Sequence, residues 1–95
     1  MTGTPEMIET DIEIINKLGL HARAAARLVS LTAQFQSRIQ IGRGERLIDA
    51  KSIMALLMLG AGKGSVLRLR VEGKDAEAAH AAVTGLINNR FDEAE

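Results

Sequence analysis

The sequence predicts an α+β domain of four strands and three helices in the order βαββαβα, with the helices gathered over one face of the sheet. Three observations predict it. Apolar and charged residues alternate over Met7–Ile15 and Val66–Glu72, the two-residue period of a strand with one buried face. Alanine-rich stretches after His21 and after Asp75 carry apolar residues at helical spacing. Glycines and capping residues punctuate the chain between these stretches. At 95 residues the chain suffices for one two-layer core and leaves little room for an independent catalytic cleft.

Residues 1–6 read as a flexible leader and residues 7–95 as a single domain. The first strand places Ile8, Ile12 and Ile14 inward and Glu9, Asp11 and Glu13 outward. Ala22–Gln34 follows as a helix whose stripe of Ala22, Ala25, Ala26, Val29 and Ala33 favours close packing on a sheet. Ser37–Gly42, the turn Gly42-Arg43-Gly44 and Glu45–Asp49 form a hairpin, with Ile39 and Ile41 on one face. Ser52 caps a short helix that runs to about Leu59 and ends at the glycine-rich Gly60–Gly64. Val66–Glu72 sets Leu67, Leu69 and Val71 against Arg68, Arg70 and Glu72. Asp75 then caps the last helix, with Ala76, Ala79, Val83, Leu86 and Ile87 inward and His80 on the surface. Helices on one face leave the other face wet, which accounts for the charged alternate positions.

Composition excludes several function classes. Twelve basic residues balance twelve acidic ones, so there is no global field for nonspecific nucleic-acid binding. Two Phe with no Trp or Tyr are too few for base-stacking platforms. The absence of cysteine removes thiolate chemistry and cysteine-based zinc sites and suits a reducing compartment. Met1–Glu6 lacks a signal peptide's regions and Ile53–Leu59 is too short to span a bilayer, so a soluble, cytoplasmic protein without membrane insertion is expected. Gly62-Lys63-Gly64 lacks the Ser or Thr of a nucleotide-binding loop, and no histidine pair stands at metal-ligand spacing. Neither a metal nor a cofactor is expected.

The residues that point to chemistry are Gly19-Leu20-His21-Ala22-Arg23, between the first strand and the first helix. A helix N-terminus offers N–H groups without intrahelical partners and a partial positive charge, so it stabilises an anion such as a phosphorylated imidazole. The same positive end disfavours an imidazolium and favours a neutral, nucleophilic ring. Arg23 adds a fork of donors suited to a phosphoryl group.

The run Asn16–Ala26 resembles the active-site segment of the HPr/NPr phosphocarrier family of the phosphoenolpyruvate-dependent phosphotransferase system. A second run, Lys51-Ser52-Ile53-Met54 followed by Ala55–Leu59, resembles that family's regulatory-serine segment, at the family's separation. The resemblance covers about Met7 to Phe91. It implies an HPr-like open-faced β-sandwich with an antiparallel sheet ordered 1-4-2-3. It also implies that His21 accepts a phosphoryl group at Nδ1 from phospho-Enzyme I and passes it to IIA domains, with Arg23 stabilising it. The chain is then a carrier and a phosphorylated intermediate, not an enzyme. The family usually has proline where this chain has Ala24, which leaves one more N–H at the site.

Ser52 is an N-cap on its own chemistry, and the resemblance adds phosphorylation by an HPr kinase/phosphorylase where the cell has one. The Ile53–Leu59 helix is apolar on every side although a helix on a sheet buries one stripe. Leu56 and Leu59 are assigned to the core, and Ile53, Met54 and Leu57 to a partner-docking patch. Arg27 and Lys51 are candidates for a basic rim facing acidic partners. A monomer is expected, since a carrier exposes one site to successive partners. Two other readings are a regulatory interaction module governed by Ser52 phosphorylation, which would keep its binding after His21→Ala, and a small-molecule-binding regulatory domain. Sugar uptake and the nitrogen branch are not distinguished by these residues.

Overall fold

The structure, a computed structural model, describes residues 6–95. Its elements are β1 (Glu6–Glu13), α1 (Ala22–Thr32), β2 (Arg38–Arg43), β3 (Arg46–Asp49), α2 (Ile53–Leu59), β4 (Val66–Gly73) and α3 (Ala76–Asn88). Of residues 1–6, assigned to a leader, residues 1–5 lie outside the described residues, and Glu6 pairs with Gly73 as the first residue of β1. The four strands form one sheet in the order β1-β4-β2-β3, each neighbouring pair antiparallel.

Alternation along the strands decides which side chains meet. Ile12 pairs with Leu67, Ile39 with Val71 and Ile41 with Leu69, and all six are buried under the helices. Each such side chain contributes about 1.5–3 kcal/mol relative to exposure. On the outer face Glu9 is opposite Arg70 and Asp11 opposite Arg68. Glu9 forms ion pairs with both arginines, at 2.7 Å from Arg70 Nε and 3.5 Å from Arg68 Nε. Exposed pairs of this kind contribute little, so the sheet is held by its inner face.

Two details depart from the expected pattern. In α1 the buried residues are Ala24, Ala25, Leu28 and Thr32, whereas Ala22, Ala26 and Ala33 are exposed. Alanine tolerates both environments, so an alanine count misphases the helix; the bulk of Leu28 sets its inward face. Asp75 stands at the N-cap position of α3 without a capping hydrogen bond. Its carboxylate instead accepts from the N–H groups of Gln36 and Ser37, both at 2.9 Å, and from the Ser37 hydroxyl. It therefore ties the α1–β2 connection to the start of α3. His80 is half-buried, its Nε2 2.8 Å from Thr10 Oγ1 on β1.

Beyond α3 the chain makes a feature that periodicity did not foresee. Arg90, Phe91 and Asp92 have φ of 57°, 53° and 62°, a left-handed turn that costs roughly 1–2 kcal/mol at each ordinary residue. Burial of Phe91, which is 0% exposed, offsets that cost. Arg27 Nη1 donates to the Phe91 carbonyl and Asn89 Nδ2 donates to Asp92 Oδ1 at 2.7 Å. The turn sends Glu93–Glu95 back across the α1 N-terminus, where the Lys17 N–H donates to the Glu95 carbonyl at 2.5 Å.

Candidate functional site

The loop between β1 and α1 is built to present one imidazole. Asn16 is buried and its Nδ2 donates to the Gly19 carbonyl at 2.7 Å, closing a tight turn. Gly19 has φ +67°, and a Cβ there would sit 2.5 Å from the Ala61 carbonyl oxygen, so only glycine fits without displacing backbone. The next residue uses that close approach, since Leu20 N–H donates to the same Ala61 carbonyl at 2.8 Å and its side chain is buried. His21 then takes the N-cap position of α1 with extended backbone, φ −80° and ψ −178°.

Both ring nitrogens of His21 are engaged. Nδ1 lies 3.3 Å from the Arg23 backbone N, and Nε2 lies 2.5 Å from Glu93 Oε2. A backbone N–H only donates and an ionised carboxylate only accepts, so these partners assign the lone pair to Nδ1 and the proton to Nε2. Nδ1 thus presents its lone pair at a helix start. The Ala25 N–H is satisfied by the His21 carbonyl at 2.8 Å, while those of Ala22 and Ala24 have no acceptor among the described residues. An anion bonded to Nδ1 would meet these donors.

Glu93 is the contact of His21 that sequence reasoning missed. It lies 72 residues from His21, and only the C-terminal turn brings it there. Its side chain, 14% exposed, also accepts from Asn16 Nδ2 at 3.1 Å. Desolvation is the largest single influence on this carboxyl and pushes it up. The hydrogen bonds from Asn16 and His21, together with the nearby Arg27 charge, outweigh it and hold the group below its ordinary value. The ending Phe91-Asp92-Glu93 was visible in the sequence, but nothing local in it points to His21.

The structure brings some of the candidate residues to His21 and gives others structural partners. Arg23 is exposed and shares a shallow depression with Lys17, Leu18 and Glu93–Glu95, beside the imidazole. Arg27 donates to the Phe91 carbonyl, so part of its guanidinium clamps the C-terminal turn. Lys51 Nζ donates to the Phe35 carbonyl at 2.7 Å. Ser52 is the N-cap of α2, its Oγ accepting from the Ala55 N–H at 3.2 Å. Leu56 is fully buried and Leu59 packs on the core, as their spacing predicts. Ile53, Met54 and Leu57 are exposed, as are Met58 at 82% on the same helix and Leu18 at 66% on the β1–α1 loop, neither of which the sequence reading singled out.

A protein-family model described as the PTS HPr component phosphorylation site matches residues 8–89. The chain is 52% identical to the phosphocarrier protein HPr of Pseudomonas aeruginosa over 86 residues, covering 90% of this chain and 96% of that protein. It is 45% identical to the phosphocarrier protein NPr of Shewanella violacea, covering 92% of this chain and 96% of that one. Among solved structures, HPr from Thermoanaerobacter tengcongensis superposes with a TM-score of 0.88 at 42% identity, covering 93% of this chain and 99% of that chain.

Proposed function

Since the chain belongs to the HPr/NPr family of phosphotransferase-system phosphocarriers, we propose that His21 is its phosphoryl-accepting residue, charged by phospho-Enzyme I and discharged to IIA domains. The observation that carries this reading is the Nδ1 lone pair of His21, held at the N-cap of α1 among first-turn N–H groups. In the transfer, Nδ1 forms a bond to phosphorus as the donor's bond breaks and its electron pair returns to the donor. The phosphoryl oxygens then take the N–H groups of Ala22, Arg23 and Ala24, together with the exposed Arg23 guanidinium. Charge-assisted hydrogen bonds contribute about 1.5–3 kcal/mol each, enough to steady the phosphoryl group while leaving it transferable.

The chain supplies one half of each transfer site and its partners supply the other, so it acts as a carrier and not as an enzyme. No helix among the described residues is long and apolar enough to cross a membrane, and a cytoplasmic monomer that exposes one face to successive partners fits the role. That face includes Ile53, Met54 and Leu57 on α2, whose exposed side chains present an adaptable apolar surface. Arg27 and Lys51 contribute positive charge at its margins. Phosphorylation of Ser52 by an HPr kinase/phosphorylase would place negative charge at the start of α2, where the helix end tolerates it, and would act by altering docking rather than by unfolding.

The test is to incubate wild type and His21→Ala with Enzyme I, Mg²⁺ and labelled phosphoenolpyruvate and to examine the label's stability. Acid-labile, base-stable label on the wild type alone is the expected result. Equal labelling of both proteins would exclude His21, and no labelling of either would favour a binding module regulated at Ser52.

A further inference from the structure

The C-terminal turn places a carboxylate on the far nitrogen of the imidazole, and this contact is built from several directions. Glu93 Oε2 is 2.5 Å from His21 Nε2, and Asn16, itself buried and fixed to the Gly19 carbonyl, holds Glu93 Oε1 at 3.1 Å. On one side of Glu93 the buried Phe91 and the Arg27 clamp pin the turn; on the other, the Lys17 N–H holds the Glu95 carbonyl. Three successive residues with positive φ are tolerated to bring it there. An acidic residue serving only solubility would not require such a mount.

We infer that Glu93 is a positioning residue for phosphoryl transfer at His21, fixing the proton on Nε2 and compensating the positive charge that the ring acquires when Nδ1 bonds phosphorus. This rests on the reading of His21 as the phosphoryl acceptor. A neutral imidazole with its proton on Nε2 has one free lone pair, on Nδ1. When that pair forms the N–P bond, the donor's N–P bond breaks, its pair returns to the donor nitrogen, and no proton has to move. The ring retains the Nε2 proton and becomes cationic. A carboxylate in hydrogen-bond contact stabilises that cation, as buried acids do for the imidazolium of acyl-transfer triads. In the reverse direction the retained proton keeps the ring a good leaving group, because discharge regenerates a neutral imidazole. The other charged groups around the pair are Arg23 and Arg27 on α1, Lys17 on the preceding loop, and Glu95 on the C-terminal segment. Among the described residues, Glu93 is the carboxylate in contact with the ring.

The experiment compares full-length wild type, Glu93→Gln and Glu93→Asp, with ¹⁵N-labelled histidine followed by NMR and phosphoryl uptake from Enzyme I followed by rapid quench. In the wild type, Nδ1 should show the shift of an unprotonated nitrogen and Nε2 that of an N–H. Glu93→Gln should lose that bias, because an amide can present either its oxygen or its N–H₂ to Nε2. Its single-turnover transfer rate should fall about 10–100-fold, the worth of one charge-assisted hydrogen bond, with little change in the Enzyme I concentration giving half the maximal rate. Glu93→Asp should restore the Nε2–H tautomer and part of the rate. Unchanged tautomer and rate in Glu93→Gln would overturn the inference. So would a wild-type ring carrying its proton on Nδ1, an observation available even if the variant fails to fold. A wild type that takes no phosphoryl from Enzyme I would instead overturn the carrier reading, while the tautomer measurement would still decide whether Glu93 fixes the ring.

Discussion

Phe91→Ala tests how the strained C-terminal turn is held against the α1 N-terminus. The ring is 0% exposed, and truncating a buried Phe to Ala costs about 3–5 kcal/mol when the surroundings stay in place. Here they need not stay. Arg90 and Phe91 sit at φ 57° and 53°, which stores roughly 1–2 kcal/mol each, with a smaller amount at Asp92 because Asp tolerates this region better. About 2–4 kcal/mol is therefore recovered if the turn opens, and without the ring little opposes opening beyond the Arg27, Asn89 and Lys17 hydrogen bonds. The expected outcome is release of Glu93–Glu95 with a global loss below the full 3–5 kcal/mol. Leu28→Ala is the control, since Leu28 is equally buried but lies inside α1 where no strain is released; it should cost about 2–5 kcal/mol. Unfolding entropy of about 2.1 cal/mol/K per residue makes each kcal/mol worth roughly 5 °C in a chain of this length. Thermal melts should therefore show a smaller drop for Phe91→Ala than for Leu28→Ala. Hydrogen exchange should show the Lys17 amide unprotected in Phe91→Ala while the Ile41 and Leu69 amides keep their protection. A Phe91→Ala protein that retains Lys17 protection and loses the full 3–5 kcal/mol would refute the claim that the ring holds the turn closed against its own strain.

Three further outcomes follow from the same geometry. Ala24→Pro removes an N–H that has no acceptor among the described residues and restricts the unfolded chain, so it should raise stability by about 0.4–1 kcal/mol in urea titrations; a loss of more than that would mean the first turn of α1 needs this donor. Ser52→Ala removes the cap on Ala55 N–H and should cost about 1 kcal/mol, read as a lower urea midpoint with an unchanged slope. The Asp75 carboxyl is held below its ordinary range, first by the Ser37 hydroxyl and next by the Gln36 N–H. A depressed carboxyl contributes stability that is present above its unfolded value and lost as pH falls through its folded value. Urea midpoints should therefore fall on acidification below the usual carboxylate range, and Asp75→Asn should be less stable at pH 7 with a shallower acid limb; identical limbs would show that Asp75 contributes no pH dependence.

Much of this molecule was legible along the chain because its signals are local. A strand with one buried face writes a two-residue alternation, so Leu67, Leu69 and Val71 declared their inward face without reference to any partner. A helix start writes a cap, so Ser52 and the approach to His21 could be placed from neighbours a few residues away. The conformational need for glycine at Gly19 could not be read in the same manner, because what crowds it is the Ala61 carbonyl from a distant loop.

The departures occur where the competing partner lay far off in sequence. Asp75 looks like a cap and has the right residue type, yet the Gln36 and Ser37 donors compete for its carboxylate and win it. Arg27, one turn beyond Arg23, donates to the Phe91 carbonyl in the C-terminal turn, a partner that nothing near it in sequence reveals. The sequence by itself determined the order of elements, the inward faces of the strands, the Ser52 cap and the histidine at a helix start, since each depends on spacing within a few residues. Only the tertiary structure decided the phase of α1, the left-handed turn at Phe91 and the carboxylate on His21, because those depend on contacts that exist only once the two ends of the chain are packed on the same core.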